Sequence, residues 1–155
     1  MRSQSDSDAD QLPHSEGYEF LDTHDDSFLI DSCRIAVHLC DAEAAAIHLL
    51  DSTGQNCIAQ TGGFIETFLH SEGLVDMVYG SGEVPFQKQI EGRLYIGVPL
   101  SGGDPARGVL SVLGARRIVR QAADMLIVHA RGLADQISMR RQFHHNKSIT
   151  EGRLP

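Results

Sequence analysis

Residues 93–114 read RLYIGVPLSGGDPARGVLSVLG, two apolar runs around a glycine-rich break, and this stretch decides the fold. Leu94, Ile96, Val98 and Leu100 alternate with Tyr95, Gly97 and Pro99, the period of a strand with one face in a core. Val109, Ser111 and Leu113 then alternate with Leu110 and Val112. The 101–108 link holds Gly102, Gly103 and Pro105, so an antiparallel hairpin with a long loop is predicted. Those glycines do not make a phosphate cradle, because the link lacks a Gly-Lys-Ser/Thr ending and opens no helix.

Working outward towards the N-terminus, residues 84–90 place Val84, Phe86, Lys88 and Ile90 on one face of a strand, and Pro85 assigns it to a sheet edge by giving up a donor. Residues 64–79 are helical in two pieces, interrupted near 71–73 and ended by Gly80 and Gly82. Strands over 45–50 and 56–61 are joined by the polar turn Asp-Ser-Thr-Gly. Thr23 to Asp26 offers a weak capping box for a helix running to about residue 40, with Leu29, Cys33, Ala36, Val37 and Cys40 on one stripe. Towards the C-terminus, Val119, Ala122, Leu126, Ala130, Leu133 and Ile137 step by three or four, which predicts a long helix from 119 to about 143. Residues 144–155 read as a polar tail.

The 155 residues make one domain's worth, enough to bury about two-thirds of the unfolded surface without a metal or disulfide. No apolar run reaches the roughly 18 residues of a membrane span, and the acidic opening is unlike a signal peptide, so the expected location is the cytoplasm. Residues 1–26 carry eight acidic side chains against Arg2 alone, a balance of −7 within a total of −8, and 1–16 are expected to be a disordered acidic tail. Residues 115–155 carry eight basic side chains against three acidic ones. No aromatics interleave with those arginines, so a solvated helix face explains them better than a nucleic acid does.

The order helix, two strands, helices, strand, two strands, helix resembles the GAF family of small sensory domains, in the branch found in front of bacterial signalling enzymes such as diguanylate cyclases and histidine kinases. The resemblance rests on Glu19-Phe20-Leu21-Asp22-Thr23 ahead of the first helix and Ala46-Ile47-His48-Leu49-Leu50-Asp51 on the first strand. It rests equally on Arg93 to Leu100 and Gly108 to Leu113 in the central hairpin, and together these pieces span residues 17–143. It implies an α+β fold, a GAF/PAS-like central antiparallel sheet with the N- and C-terminal helices on one face and a pocket under short helices on the other. It also implies dimerisation through the terminal helices. Two departures stand out. Relatives usually carry a longer lid segment where this chain has only Glu91, Gly92 and Arg93, so the pocket is expected to be open; and Leu69 lies near where many relatives have a cysteine.

Phe64, Phe68, Tyr79, Phe86 and Tyr95 are the candidate pocket residues, although aromatics at such spacings commonly belong to a core. Cys33, Cys40 and Cys57 have no Cys-x-x-Cys spacing and read as buried thiols rather than a zinc site or a redox pair. The histidines are scattered. His38 and His48 could meet only through the fold, His144-His145 lie in the tail, and His70 is where a haem-binding relative would place an axial ligand, a surface histidine being the plainer reading. No catalytic set, metal site or cofactor is predicted.

Three functions follow. The first is a non-catalytic signalling or regulatory module that binds a small molecule weakly, or a separate signalling protein, and communicates through its terminal helices. The second is a GAF-type thiol-dependent methionine sulfoxide reductase, which the lack of a cysteine between 64 and 93 opposes. The third is a degenerate dimerisation or docking domain. A homodimer is expected through Ala123, Ile127, Gly132 and Ala134 of the last helix, with neither membrane nor nucleic acid as a partner.

Overall fold

The computed structural model describes residues 26–51, 54–63, 65–100, 107–116 and 118–152. The Thr23 capping box, the 1–16 segment, Phe64 and Gly102 and Gly103 of the 101–108 link lie outside the described residues. The elements are α1 (Asp26–Cys40), β1 (Ala44–Asp51), β2 (Gly54–Thr61), α2 (Ile65–Glu72), α3 (Leu74–Ser81), β3 (Phe86–Ile90), β4 (Arg93–Leu100), β5 (Arg107–Ala115) and α4 (Arg120–Gly152). The strands form one antiparallel sheet in the order β2-β1-β5-β4-β3.

The sheet separates two cores. On one face α1 and α4 cross the strands, and Leu29, Cys33, Ala36 and Cys40 of α1 meet Leu126, Ala130, Leu133 and Ile137 of α4 over Leu94, Ile96, Val98 and Leu100. His129 Nε2 lies 2.9 Å from the Ser32 carbonyl and ties the two helices together. On the other face α2 and α3 cover Ala44, Ala46, Tyr95, Val109 and Leu113 with Ile65, Leu69, Leu74, Val75 and Val78. The central hairpin therefore departs from the expectation of one buried face. Tyr95 and Gly97 are as buried as Leu94 and Ile96, because the paired helices cover one side and the short helices the other.

Gly97 explains how Tyr95 fits. Both project from the same face of β4. A Cβ on Gly97 would lie 2.4 Å from Val78 Cγ2 and 2.7 Å from Tyr95 Oη, so the missing side chain is the slot in which the Tyr95 ring and Val78 pack. The phenol then reaches Ser111, the register partner of Gly97, with Oη and Oγ 2.7 Å apart and both residues fully buried.

Three boundaries differ from the sequence reading. β3 begins at Phe86; Val84 and Pro85 precede it, joined by a cis peptide, and Val84 is exposed. It does occupy a sheet edge. The last helix starts at Arg120, with Val119 exposed just ahead of it, and continues through Gly152 rather than ending near Phe143. The 144–152 sequence holds Ile149 as its one large apolar residue and offers no period to read, yet a helix already formed is cheap to extend. The two-piece reading of 64–79 corresponds to α2 and α3, broken at Gly73 with φ 64° and ended by Gly82 with φ 72°. Among the described residues, no helix is long and apolar enough to cross a membrane.

Candidate functional site

β1 and β2 run in register from Ala45↔Thr61 to Ile47↔Ala59, then shift so that His48 faces Cys57. This bulge is decisive. Residues 57 and 59 would share a face of a regular strand, but the extra residue lets Ile58 and Ala59 both pack towards α1 and α4. Cys57 is thereby returned to the α2/α3 face beside His48. Glu66, in the first turn of α2, where the helix dipole favours an acidic side chain, comes down from above. Its Oε1 lies 2.6 Å from His48 Nε2.

His48 and Glu66 also line a cleft of about 450 Å³ between the β1–β2 hairpin and the short helices. Its floor is His48 and Leu50, its helical wall is Glu66, Leu69, His70, Gly73 and Asp76, and its rim on β2 is Gly54 and Gln55. Gln55 Nε2 donates to Asp76 Oδ1 at 2.6 Å and spans the cleft from strand to helix. Glu66 and His70 are four apart on α2 and so share a face. His48 is buried, His70 exposed. The surface offers imidazole, carboxylate and amide groups above a small apolar floor, which suits a small polar ligand. Among the described residues, no extra segment closes it from the β3–β4 side, where Glu91 and Gly92, at φ 51° and 78°, make a tight two-residue turn.

The candidate aromatics sit elsewhere. Tyr95 is fully buried, and Phe86 packs edge-on against it with ring centroids 6.2 Å apart. Phe68 and Tyr79 pack half-buried on the same core. Tyr79 Oη donates to the Gly108 carbonyl at 2.7 Å and accepts from the Gly108 N–H at 3.0 Å, which fastens α3 to the end of the central hairpin. Among Phe68, Tyr79, Phe86 and Tyr95, none lines the cleft. On α4, Ala134 faces the domain's own core and Ile127 packs half-buried against it, while Gly132 is exposed and Ala123 half-buried. The outward apolar side chains of α4 are Met125, Val128, Met139 and Phe143.

Burial pushes all three thiols up, Cys33 and Cys57 to about 12 and Cys40 to about 11. For Cys57 the neighbouring Glu66 charge adds to burial. The sequence could have signalled the His48–Cys57–Glu66 convergence only through the bulge, and nothing local in Asn56 to Ala59 marks one.

No family model matches the sequence, and no curated protein does. Solved structures do. The GAF domain of an Acinetobacter phosphoenolpyruvate-protein phosphotransferase superposes with a TM-score of 0.57 at 19% identity, covering 94% of this chain and 97% of that one. A GAF domain/HD domain protein from Geobacter sulfurreducens gives 0.60 at 11% identity over 83% and 97%. The blue-light absorbing form of the Thermosynechococcus elongatus PixJ GAF domain gives 0.60 at 11% over 91% and 98%. With the five-stranded antiparallel sheet, the helix pair on one face and the short helices over a cleft on the other, this chain has the GAF-domain fold.

Proposed function

We propose that this chain is a non-catalytic sensory module, which takes a small polar ligand in the cleft under α2 and α3 and communicates its state through α1 and α4. The observation that carries the reading is the alternation of β1. His48 and Leu50 line the cleft, while Ile47 and Leu49 belong to the core under the paired helices. A ligand that shifts β1 by a fraction of an ångström is therefore felt on both faces of the sheet, because close-packed interiors transmit strain. The neighbours with this fold include parts of a phosphotransferase, an HD-domain protein and a light-absorbing protein, which agrees with a regulatory role. The raised thiols oppose a thiol-dependent reductase, since the thiolate is the nucleophile such chemistry needs.

The open cleft leaves part of any ligand in water, so affinity is expected near micromolar, about 8 kcal/mol, or weaker. Two copies would join through the outer face of α4, where Met125, Val128 and Met139 with the small Gly132 lie three, four and seven residues apart. Mass spectrometry of the natively purified protein tests the ligand, followed by calorimetry of whatever is released against wild type and Gln55→Ala. A compound that binds wild type and loses affinity in Gln55→Ala supports the cleft. Binding that is indifferent to Gln55, Asp76 and His70 substitutions removes it.

A further inference from the structure

We propose that His48, Cys57 and Glu66 form a binding site for a divalent cation of the zinc class, with a fourth coordination position open to the cleft. One imidazole nitrogen, one thiol sulfur and one carboxylate oxygen lie within 4.8 Å of one another there. Three separate elements supply them, β1, β2 and α2, so their meeting is a product of the tertiary fold and of the β2 bulge.

The donor set selects the ion. Zinc accepts nitrogen, sulfur and oxygen together and imposes no geometry of its own, whereas calcium and magnesium take oxygen ligands and would leave Cys57 and His48 unused. In a tetrahedral site with metal–ligand distances of about 2.0–2.3 Å, donor atoms stand roughly 3.3–3.8 Å apart. His48 and Glu66 are now at 2.6 Å through their hydrogen bond, and the widest separation is within 4.8 Å. Accommodating an ion thus means parting one pair and closing another by about 1 Å. Glu66 can do this, because its side chain is 44% exposed and it sits on an eight-residue helix, while His48 and Cys57 are fixed on the sheet.

One further feature bears on the site. His48 is buried, and its Nδ1 has no hydrogen-bond partner among the described residues, so the ring's polar contact is made entirely on the Glu66 side. A coordinated thiol gives up its proton outright, because the ion's own charge dominates a site that already carries one carboxylate. The proton leaves to solvent through the cleft as the Cys57 sulfur–metal bond forms. Through His48 and Glu66 the cleft then borders a Lewis-acidic centre, with His70 and Asp76 on its helical wall.

The proposal stands whether or not the cleft takes an organic ligand, and its test uses the metal alone. Chelator-treated full-length protein is titrated with Co²⁺ and read by absorbance. Expected are saturation at one ion per chain, a thiolate-to-cobalt charge-transfer band, and displacement of that band by Zn²⁺. Cys57→Ser abolishes the band, and Glu66→Gln, on a half-exposed side chain, weakens affinity by about tenfold or more, worth 1.4 kcal/mol per factor of ten. His144→Ala/His145→Ala leaves the titration unchanged. Circular dichroism confirms that each variant is folded. The proposal is overturned by a missing charge-transfer band in folded wild type, by a band that survives Cys57→Ser, or by binding that disappears with His144 and His145.

Discussion

The buried pair between Tyr95 and Ser111 gives the sharpest test of how this sheet is held. Both residues are fully buried, and the hydroxyls are 2.7 Å apart across the β4–β5 ladder. Tyr95→Phe removes one hydroxyl and strands the other where no solvent reaches it, at a cost of about 2 kcal/mol, within the 1–3 kcal/mol of an orphaned buried polar group. Ser111→Ala strands the phenol and costs about the same. Removing both leaves neither group unpaired, so the double variant should lose about 1 kcal/mol, the net worth of one hydrogen bond, rather than about 4, a coupling of about 3 kcal/mol. Urea unfolding measures this directly. With a slope near 2 kcal/mol/M, each single variant should move the midpoint by about 1 M and the double variant by only about 0.5 M. Strictly additive losses, or single losses under about 0.5 kcal/mol, would refute the reasoning by showing that the hydroxyls do not depend on one another.

Gly97→Ala should destabilise by about 1–3 kcal/mol through overpacking against Val78 Cγ2 and Tyr95 Oη, and Val78→Ala in the same chain should recover part of the loss in thermal unfolding. Tyr79→Phe should cost about 1–2 kcal/mol, because its hydroxyl both donates to and accepts from Gly108, and hydrogen exchange should quicken at the Gly108 amide. Cys33, pushed up to about 12 by burial and then by Cys57, holds its proton more tightly folded than unfolded, where its pKa is 9.0. Stability from this group is therefore complete below pH 9.0 and is lost as pH rises towards 12, so urea midpoints should fall over that window in wild type and fall less in Cys33→Ala. Val128→Asp, on an exposed α4 position, should turn a sedimenting dimer into a folded monomer; a wild type that is monomeric at micromolar concentration removes the dimer.

Local signals carried most of the fold. The stripes of α1 and α4 and the alternation of β4 and β5 were legible because a helix or strand facing a core repeats its apolar residues at its own period. The glycine break at 73 was legible as well. Which residues form the site was not. Parity places Cys57 with Ala59 on the helix-pair side, and only the unmarked bulge at Ile58 moves it next to His48. Glu66 meets His48 across 18 positions of sequence, a contact no local pattern encodes. The size that draws attention to Tyr95 as a pocket residue also suits it to the second core once Gly97 opens room for it, whereas Phe86 packs on that core and also borders a separate hollow beside Met77, Gly80 and Ser81. Strand β3 lost its first two residues for a local reason the sequence did contain, since Pro85 cannot join a ladder as a donor.

The length of α4 has a mechanical consequence. Its 33 residues span roughly 50 Å, whereas the nine residues of β5 span roughly 30 Å. Among the described side chains the last α4 residue in the core is Ile137, and residues 138–152 carry the helix on for about 22 Å, with Arg140 resting over the Phe28 ring 4.5 Å from its centroid. A rod gripped over one half is a lever. A tilt at the grip too small to break the packing of Leu126, Ala130 and Leu133 becomes a larger displacement at the Gly152 end.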